Sequence, residues 1–333
     1  SGLAENLSAE AFPIFLSTEL CCSDDACVIF QGCNDNLSGF HKGMSKALAF
    51  YHLIQFCCQF LAAVRNTAAK NDNVLVVTCT SSAEKCIQGN DKAFRVCFND
   101  PAQGTASANY IADNKLGSKI AVFYQSDIDY SAGLVETFTA QAAQRGLTIV
   151  TQQAFTEGTK TDFSTQINAI RDSGCDLVFL PIYAAEASVF LTQAQGKLDG
   201  IKVFGCDGLD GLQTKVSDMT MLEGVMMLTP FAVDAPDTKT QTFVDKFTKL
   251  HGSAPDQFAA DAYDGVYIVK AALEAAGCTA DMSNEELCDA LVSAITSLKF
   301  TGLTGTDMSW NAEGQVSKAP TAYVVKDGQY VEG

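Results

Sequence analysis

Two aspartates, Asp207 and Asp210, stand in the run VFGCDGLDG (203–211), where a short apolar segment gives way to glycine. Carboxylates in such a turn can hold a metal, act as acid and base, or meet a cation on a small molecule. In an open parallel sheet a loop after a strand's carboxyl end is where ligands sit, and the residues alone leave the three chemistries open. Metal binding has little other support. The chain carries 13 cysteines but no pair of CxxC units of the kind that builds a structural zinc site. An odd cysteine count leaves at least one unpaired within the chain. Cys278 and Cys288 flank an acidic stretch and could pair, which spacing alone does not decide. Nucleophilic catalysis needs a base, and only His41, His52 and His251 are present. His52 lies five residues before Cys57, a step that a helix does not place on one face. No nucleophile elbow and no phosphate-binding glycine loop is present. No enzyme activity, metal or cofactor is expected.

The elements that would position these residues are regular from residue 74 onward. VLVVT (74–78), KIAVFY (119–124), LTIVTQQAF (147–155), CDLVFLPIY (175–183), IKVFG (201–205) and GVMMLTPF (224–231) read as short apolar strands closed by turn residues. Between most of them, segments 105–115, 131–146, 162–174 and 184–197 repeat apolar residues at three- and four-residue steps, with Ser131 a candidate N-cap and Gly146 and Gly174 suited to C-caps. This alternation predicts an α/β fold with a parallel sheet covered on both faces. Longer helices are expected over about 237–251, 258–277 and 283–298, and a hairpin over 321–331 around Asp327 and Gly328. Nearer the start, ACVIFQG (26–32) suits a strand and MSKALAFYHLIQ (44–55) a helix, while 8–25 has no clear period.

A chain of 333 residues suggests two domains. The net charge of −17, without a Lys/Arg cluster, argues against nucleic-acid partners. No uninterrupted apolar run reaches the roughly 20 residues that a membrane span requires. The longest apolar stretch of the first third, 47–64, is broken by His52, Gln55 and Gln59. The chain begins Ser-Gly rather than with Met, as expected of a processed or trimmed chain from which any export signal has gone.

NDKAFRVCFNDPAQGTASANYIA (90–112) resembles the lobe crossover of the branched-chain amino acid (Leu/Ile/Val) binding proteins of ABC importers, the type I periplasmic binding proteins. KIAVFYQSDIDYSAGLVETF, TKTDFSTQINAIRDSGCDLVFLPIY, FGCDGLDG, EGVMMLTPF and PDQFAADAYDGVY continue the resemblance in order, from about residue 62 to the C-terminus. It implies two Rossmann-like lobes with parallel sheets joined by a three-strand hinge, one lobe taking 1–103 plus 234–304 and the other 104–233 plus 305–333. Hinges of this kind are a few element-terminal positions that absorb the backbone change. It further implies an extracytoplasmic protein, in the periplasm or on the outer face of the membrane, monomeric and peripheral to the membrane. Such a protein captures an aliphatic amino acid in the inter-lobe cleft and hands it to a permease. A ligand-sensing receptor domain for another small amino acid or amide is the alternative.

The resemblance also implies a site. Thr80, Ser81 and Ser82, in TCTSS, match the loop whose hydroxyls and N–H groups take the ligand's carboxylate. Tyr130 in DIDYSAG and Tyr183 in LPIYAAE match cleft tyrosines. Asp207 matches the acid that pairs with the α-ammonium, where many relatives carry Glu; being one methylene shorter, it requires a closer approach or a bridging water. Asp210 is expected to stabilise the turn, Trp310 to pack, and Asp261 and Asp264 to be exposed or capping. The first 60 residues depart from the pattern. A glycine-rich loop of the type IGxxxPxTG is not readable, and FCCQF (56–60) stands where relatives have a small-residue loop.

Overall fold

The computed structural model describes residue 73 and residues 75–333. The strand expected over 26–32, the helix over 44–55, the FCCQF segment, His41 and His52 lie outside the described residues. The chain divides into two compact units. One takes the described residues up to Cys97 together with Thr242–Lys318; the other takes Phe98–Gln241 and Ala319–Gly333. The chain thus changes unit at 97/98, 241/242 and 318/319; the resemblance implied changes at 103/104, 233/234 and 304/305.

The second unit is built on a sheet of seven strands. These are β3 (Lys119–Gln125), β4 (Thr148–Phe155), β5 (Leu177–Leu180), β6 (Lys202–Gly205), β7 (Met226–Thr229), β8 (Thr321–Lys326) and β9 (Gln329–Glu332), in the order β4-β3-β5-β6-β7-β8-β9. The first five run parallel; β8 joins β7 antiparallel, and β9 pairs antiparallel with β8 across the turn at Asp327 and Gly328. The parallel strands are apolar because both faces are covered. Ala121 and Phe123 of β3 and Val178 and Leu180 of β5 pack on one face, with Ile167 and Ile170 of α3 (Ser164–Asp172) and Phe190 of α4 (Ala184–Ala194). Their neighbours Ile120, Val122, Leu177 and Phe179 face the other way, against Ile111 of α1 (Asp100–Asp113) and Leu134 and Phe138 of α2 (Asp129–Gln144). Phe138 and Phe179 stack with ring centres 3.9 Å apart.

In the first unit, β1 (Val76–Thr78) and β2 (Ala93–Arg95) pair in parallel. Leu75, Val77, Phe94 and Val96 pack against Ile268 and Ala272 of α6 (Gln257–Ala275), Leu291 and Ile295 of α7 (Asn284–Ser297), Met308 and Trp310. α7 starts with a capping box between Ser283 and Glu286. The change of unit at 241/242 falls within α5 (Thr238–His251). No helix among the described residues is long and apolar enough to cross a membrane. Cys278 and Cys288 do not bridge.

Candidate functional site

The sheet order of the second unit marks a particular place. From β3 the chain moves outward to β4 through α2 on one face, then returns to β5 through α3 on the other face. The direction of winding therefore reverses between β3 and β5. At such a reversal the loops leaving the two carboxyl ends diverge and open a crevice, which is where open α/β sheets bind ligands. Tyr130 opens α2 just after β3, Tyr183 follows β5, and Asp207 follows β6. Ser131 ties the first two loops together. Its hydroxyl donates to the Pro181 carbonyl at 2.5 Å and accepts from the Gln125 N–H at 2.9 Å.

These three candidate residues come together. The Tyr130 hydroxyl donates to Asp207 Oδ1 at 2.8 Å and accepts the Gly208 N–H at 2.8 Å. The rings of Tyr130 and Tyr183 stack with centres 4.7 Å apart, 14° from parallel. Tyr130 and Asp207 are each 4% exposed. Burial, and after it the adjacent Asp207 carboxylate, holds the Tyr130 phenol well above its ordinary pKa, so it remains a donor. The second oxygen, Asp207 Oδ2, accepts from Gln103 Nε2 at 2.9 Å, and Gln103 Oε1 accepts the Asp207 N–H at 3.2 Å. Gln103 is wholly buried on α1. It was not among the residues singled out from the sequence. It stands 104 positions from its partner, and no spacing rule links the two.

The glycines of the DGLDG turn have two distinct reasons. A Cβ at Gly208 would lie 2.6 Å from the Tyr130 hydroxyl and 2.8 Å from the Ile182 carbonyl, so the backbone's approach to the tyrosine requires glycine. Gly211 has φ +80°, open to glycine at little cost. Asp210 accepts the Gly211 N–H at 2.9 Å, a turn-stabilising contact. Cys206 is fully buried, and burial above all raises its thiol's pKa. Burial likewise pushes Cys79 up to about 12. Neither is a ready thiolate.

Thr80, Ser81 and Ser82 are consecutive in the first unit, beyond the carboxyl end of β1. Ser81 and Ser82 are 2% and 5% exposed. The Ser81 N–H donates to Thr78 Oγ1 at 3.1 Å. Beneath the loop lies Arg95 of β2, wholly buried. Its two terminal nitrogens donate to the Ser81 carbonyl at 2.8 Å and the Ala83 carbonyl at 2.7 Å. Trp310, expected to pack, does so at 4% exposure and also donates its indole N–H to the Arg95 carbonyl at 2.7 Å.

Asp261 and Asp264 are not exposed. Both are buried on α6. Asp264 does cap a turn, accepting the N–H groups of Leu303 and Thr304 at 2.8 Å each and the Thr304 hydroxyl at 2.7 Å. Asp261 pairs at 2.7 Å with Lys318, which also donates to Thr304 Oγ1 at 2.6 Å. The helical pattern of the sequence could not show this pair, because its lysine lies in a distant loop. No cluster of His, Cys, Asp and Glu suited to a metal occurs among the described residues.

Comparison with known proteins fits this architecture. Residues 57–329 match the family model described as "Periplasmic binding protein". The Leu/Ile/Val-binding protein homolog 3 of Brucella melitensis is 26% identical over 218 residues, 66% of this chain and 58% of that protein. The matched segment thus spans somewhat over half of the curated relative. Among solved structures, a leucine-binding protein, LivK, from Thermotoga maritima superposes with a TM-score of 0.72 at 24% identity, over 88% of this chain and 83% of that one. A solute-binding protein of an ABC transporter from R. palustris, in complex with benzoate, gives 0.72 at 17% identity, over 90% and 82%. The structural likenesses carry the type I periplasmic binding protein fold, and the family match covers most of the sequence. The chain belongs to the periplasmic binding protein family.

Proposed function

We propose that this chain is an extracytoplasmic solute-binding protein that captures an aliphatic, branched-chain amino acid and delivers it to an ABC permease. The reading is supported by the relatives named for leucine, isoleucine and valine, but one observation carries it. The Asp207 carboxylate stands after the carboxyl end of a parallel strand, almost wholly buried, with Tyr130 and Gln103 each donating to one of its oxygens. A carboxylate so fixed is a partner for a cation. The α-ammonium of an amino acid loses much of its hydration on entering a protein, a cost that only an opposite charge and hydrogen bonds offset. Hydrogen bonds to charged groups contribute about 1.5–3 kcal/mol each. Thr80, Ser81 and Ser82 supply donors for the ligand's carboxylate, and Tyr130 and Tyr183 present aromatic surface beside Asp207.

The same observation separates this reading from its rival, an aromatic acid such as the benzoate of the R. palustris protein. Benzoate has no ammonium and would bring a second negative charge towards Asp207. Thermal melting against the proteinogenic amino acids and benzoate tests the choice. A ligand at 100 times its dissociation constant stabilises the folded state by about 2.7 kcal/mol. Leucine, isoleucine or valine should raise the melting temperature, benzoate should not, and Asp207→Ala should abolish the rise. A folded wild-type protein stabilised by benzoate and by no amino acid would refute the ligand class.

A further inference from the structure

Arg95 is the largest wholly buried side chain among the described residues, and its charge has no acidic partner there. Buried charges are ordinarily paired, because an uncompensated ion in the interior is costly. Arg95 instead meets two main-chain carbonyls, those of Ser81 and Ala83, while its Nε–H makes no hydrogen bond. Carbonyl dipoles soften the cost of the cation without neutralising it. The same contacts orient the loop. In a planar trans peptide the C=O and the following N–H point in opposite directions, and the described residues contain no cis bond. With the Ser81 carbonyl turned towards the guanidinium, the Ser82 N–H is turned away from it. Ser82 is 5% exposed, yet neither its N–H nor its hydroxyl makes a hydrogen bond among the described residues. A buried serine with unused donors, backed by a buried cation without a counter-ion among the described residues, is a place prepared for an anion.

We propose that Arg95 is a specificity-determining residue. Without touching the ligand, its guanidinium sets the orientation of the 80–82 loop and supplies the uncompensated positive charge that makes this loop select a carboxylate. The proposal rests on the reading of Thr80, Ser81 and Ser82 given above, and it adds the source of their selectivity. It accounts for an arginine with no acid beside it among the described residues. It also makes a ligand's carboxylate the missing counter-charge, so that the loop should reject an otherwise identical neutral ligand.

Isothermal titration calorimetry on the full chain tests this with leucine, leucinamide and 4-methylpentanoate. The second probe keeps the ammonium and lacks the carboxylate; the third does the reverse. The wild type should prefer leucine to leucinamide. Arg95→Met should weaken leucine by about tenfold or more, the scale of one charge-assisted interaction, and change leucinamide by less than about twofold. Arg95→Lys, which keeps a charge at the lower cost of one lost hydrogen bond, should retain the preference for leucine over leucinamide even where the methionine variant does not fold. Equal losses for leucine and leucinamide in Arg95→Met, or loss of the preference in Arg95→Lys, would overturn the proposal and leave Arg95 a purely structural brace. The two readings fail separately. A wild type that binds leucinamide as well as leucine defeats the Arg95 proposal while Asp207 keeps its partner. A wild type that binds 4-methylpentanoate in an Arg95-dependent way, and no amino acid, defeats the Asp207 reading and upholds Arg95.

Discussion

Replacing Tyr130 by phenylalanine removes one oxygen atom from the buried contacts that join the loops at the carboxyl ends of β3 and β6. The ring's volume and its stacking on Tyr183 are kept, so the change isolates the hydroxyl. That hydroxyl donates to Asp207 and accepts the Gly208 N–H, both at 2.8 Å, in a residue 4% exposed. A hydrogen bond to a charged group contributes about 1.5–3 kcal/mol, and an amide left unpaired in the interior costs about 1–3 kcal/mol. The two effects overlap, because one oxygen serves both, and about 2–4 kcal/mol is expected in all. For a unit of this size each kcal/mol lowers the melting temperature by roughly 2–4 °C. Urea unfolding of both proteins measures the difference directly. Its pH dependence supplies a second signature. Folding raises the Tyr130 phenol well above the ordinary tyrosine value of about 10, through burial first and Asp207 next. The stabilisation linked to that proton is therefore complete below about pH 10 and is lost as pH rises towards the folded-state value. The gap between wild type and Tyr130→Phe should narrow above about pH 10. A Tyr130→Phe protein within about 0.5 kcal/mol of wild type, the range of ordinary surface changes, would refute the hydrogen-bond reasoning.

Three further outcomes are expected. Gln103→Leu removes both contacts that orient Asp207 from α1 and should weaken leucine binding by about tenfold, on the scale of one charge-assisted hydrogen bond; unchanged affinity in calorimetry would show that Asp207 is oriented without it. Lys318→Met leaves the Asp261 carboxylate buried and unpaired and should cost about 3–5 kcal/mol in urea unfolding, while adding Asp261→Leu should recover much of it, since a buried pair replaced by apolar residues is often neutral. Asp176 sits just before β5, where burial would raise its pKa but the N–H groups of Ser118 and Lys119 and the Ser118 hydroxyl together lower it below 3.8. Its contribution is present above about pH 3.9 and fades as pH falls through the depressed folded value, so the stability gap between wild type and Asp176→Asn should shrink with acid below about pH 4; a gap independent of pH would contradict the assignment.

Much of the second unit could be read along the chain. KIAVFY, CDLVFLPIY and IKVFG are apolar at successive positions because a parallel strand buries both faces; the structure places β5 and β6 within the last two, and β3 covers the first and runs on to Gln125. The helices between them showed themselves through three- and four-residue periodicity. The segment AFR (93–95) was read only as part of a crossover, yet it forms β2; three residues are too few for a period to show. Tyr130, Tyr183 and Asp207 were reached through resemblance. Their meeting, as hydrogen bond and ring stack, belongs to the tertiary structure.

The chain's order of apolar and polar residues determined on its own the alternation of strands and helices, since a residue's exposure repeats with the geometry of its own element. What only the tertiary structure decided was the pairing of buried polar groups: Gln103 with Asp207, Lys318 with Asp261, and Arg95 with the carbonyls of its neighbouring loop. A polar side chain in the interior must find a partner wherever the packed elements bring one within about 3 Å. That distance is set by the crossing of elements far apart in the chain, about which local periodicity carries no information.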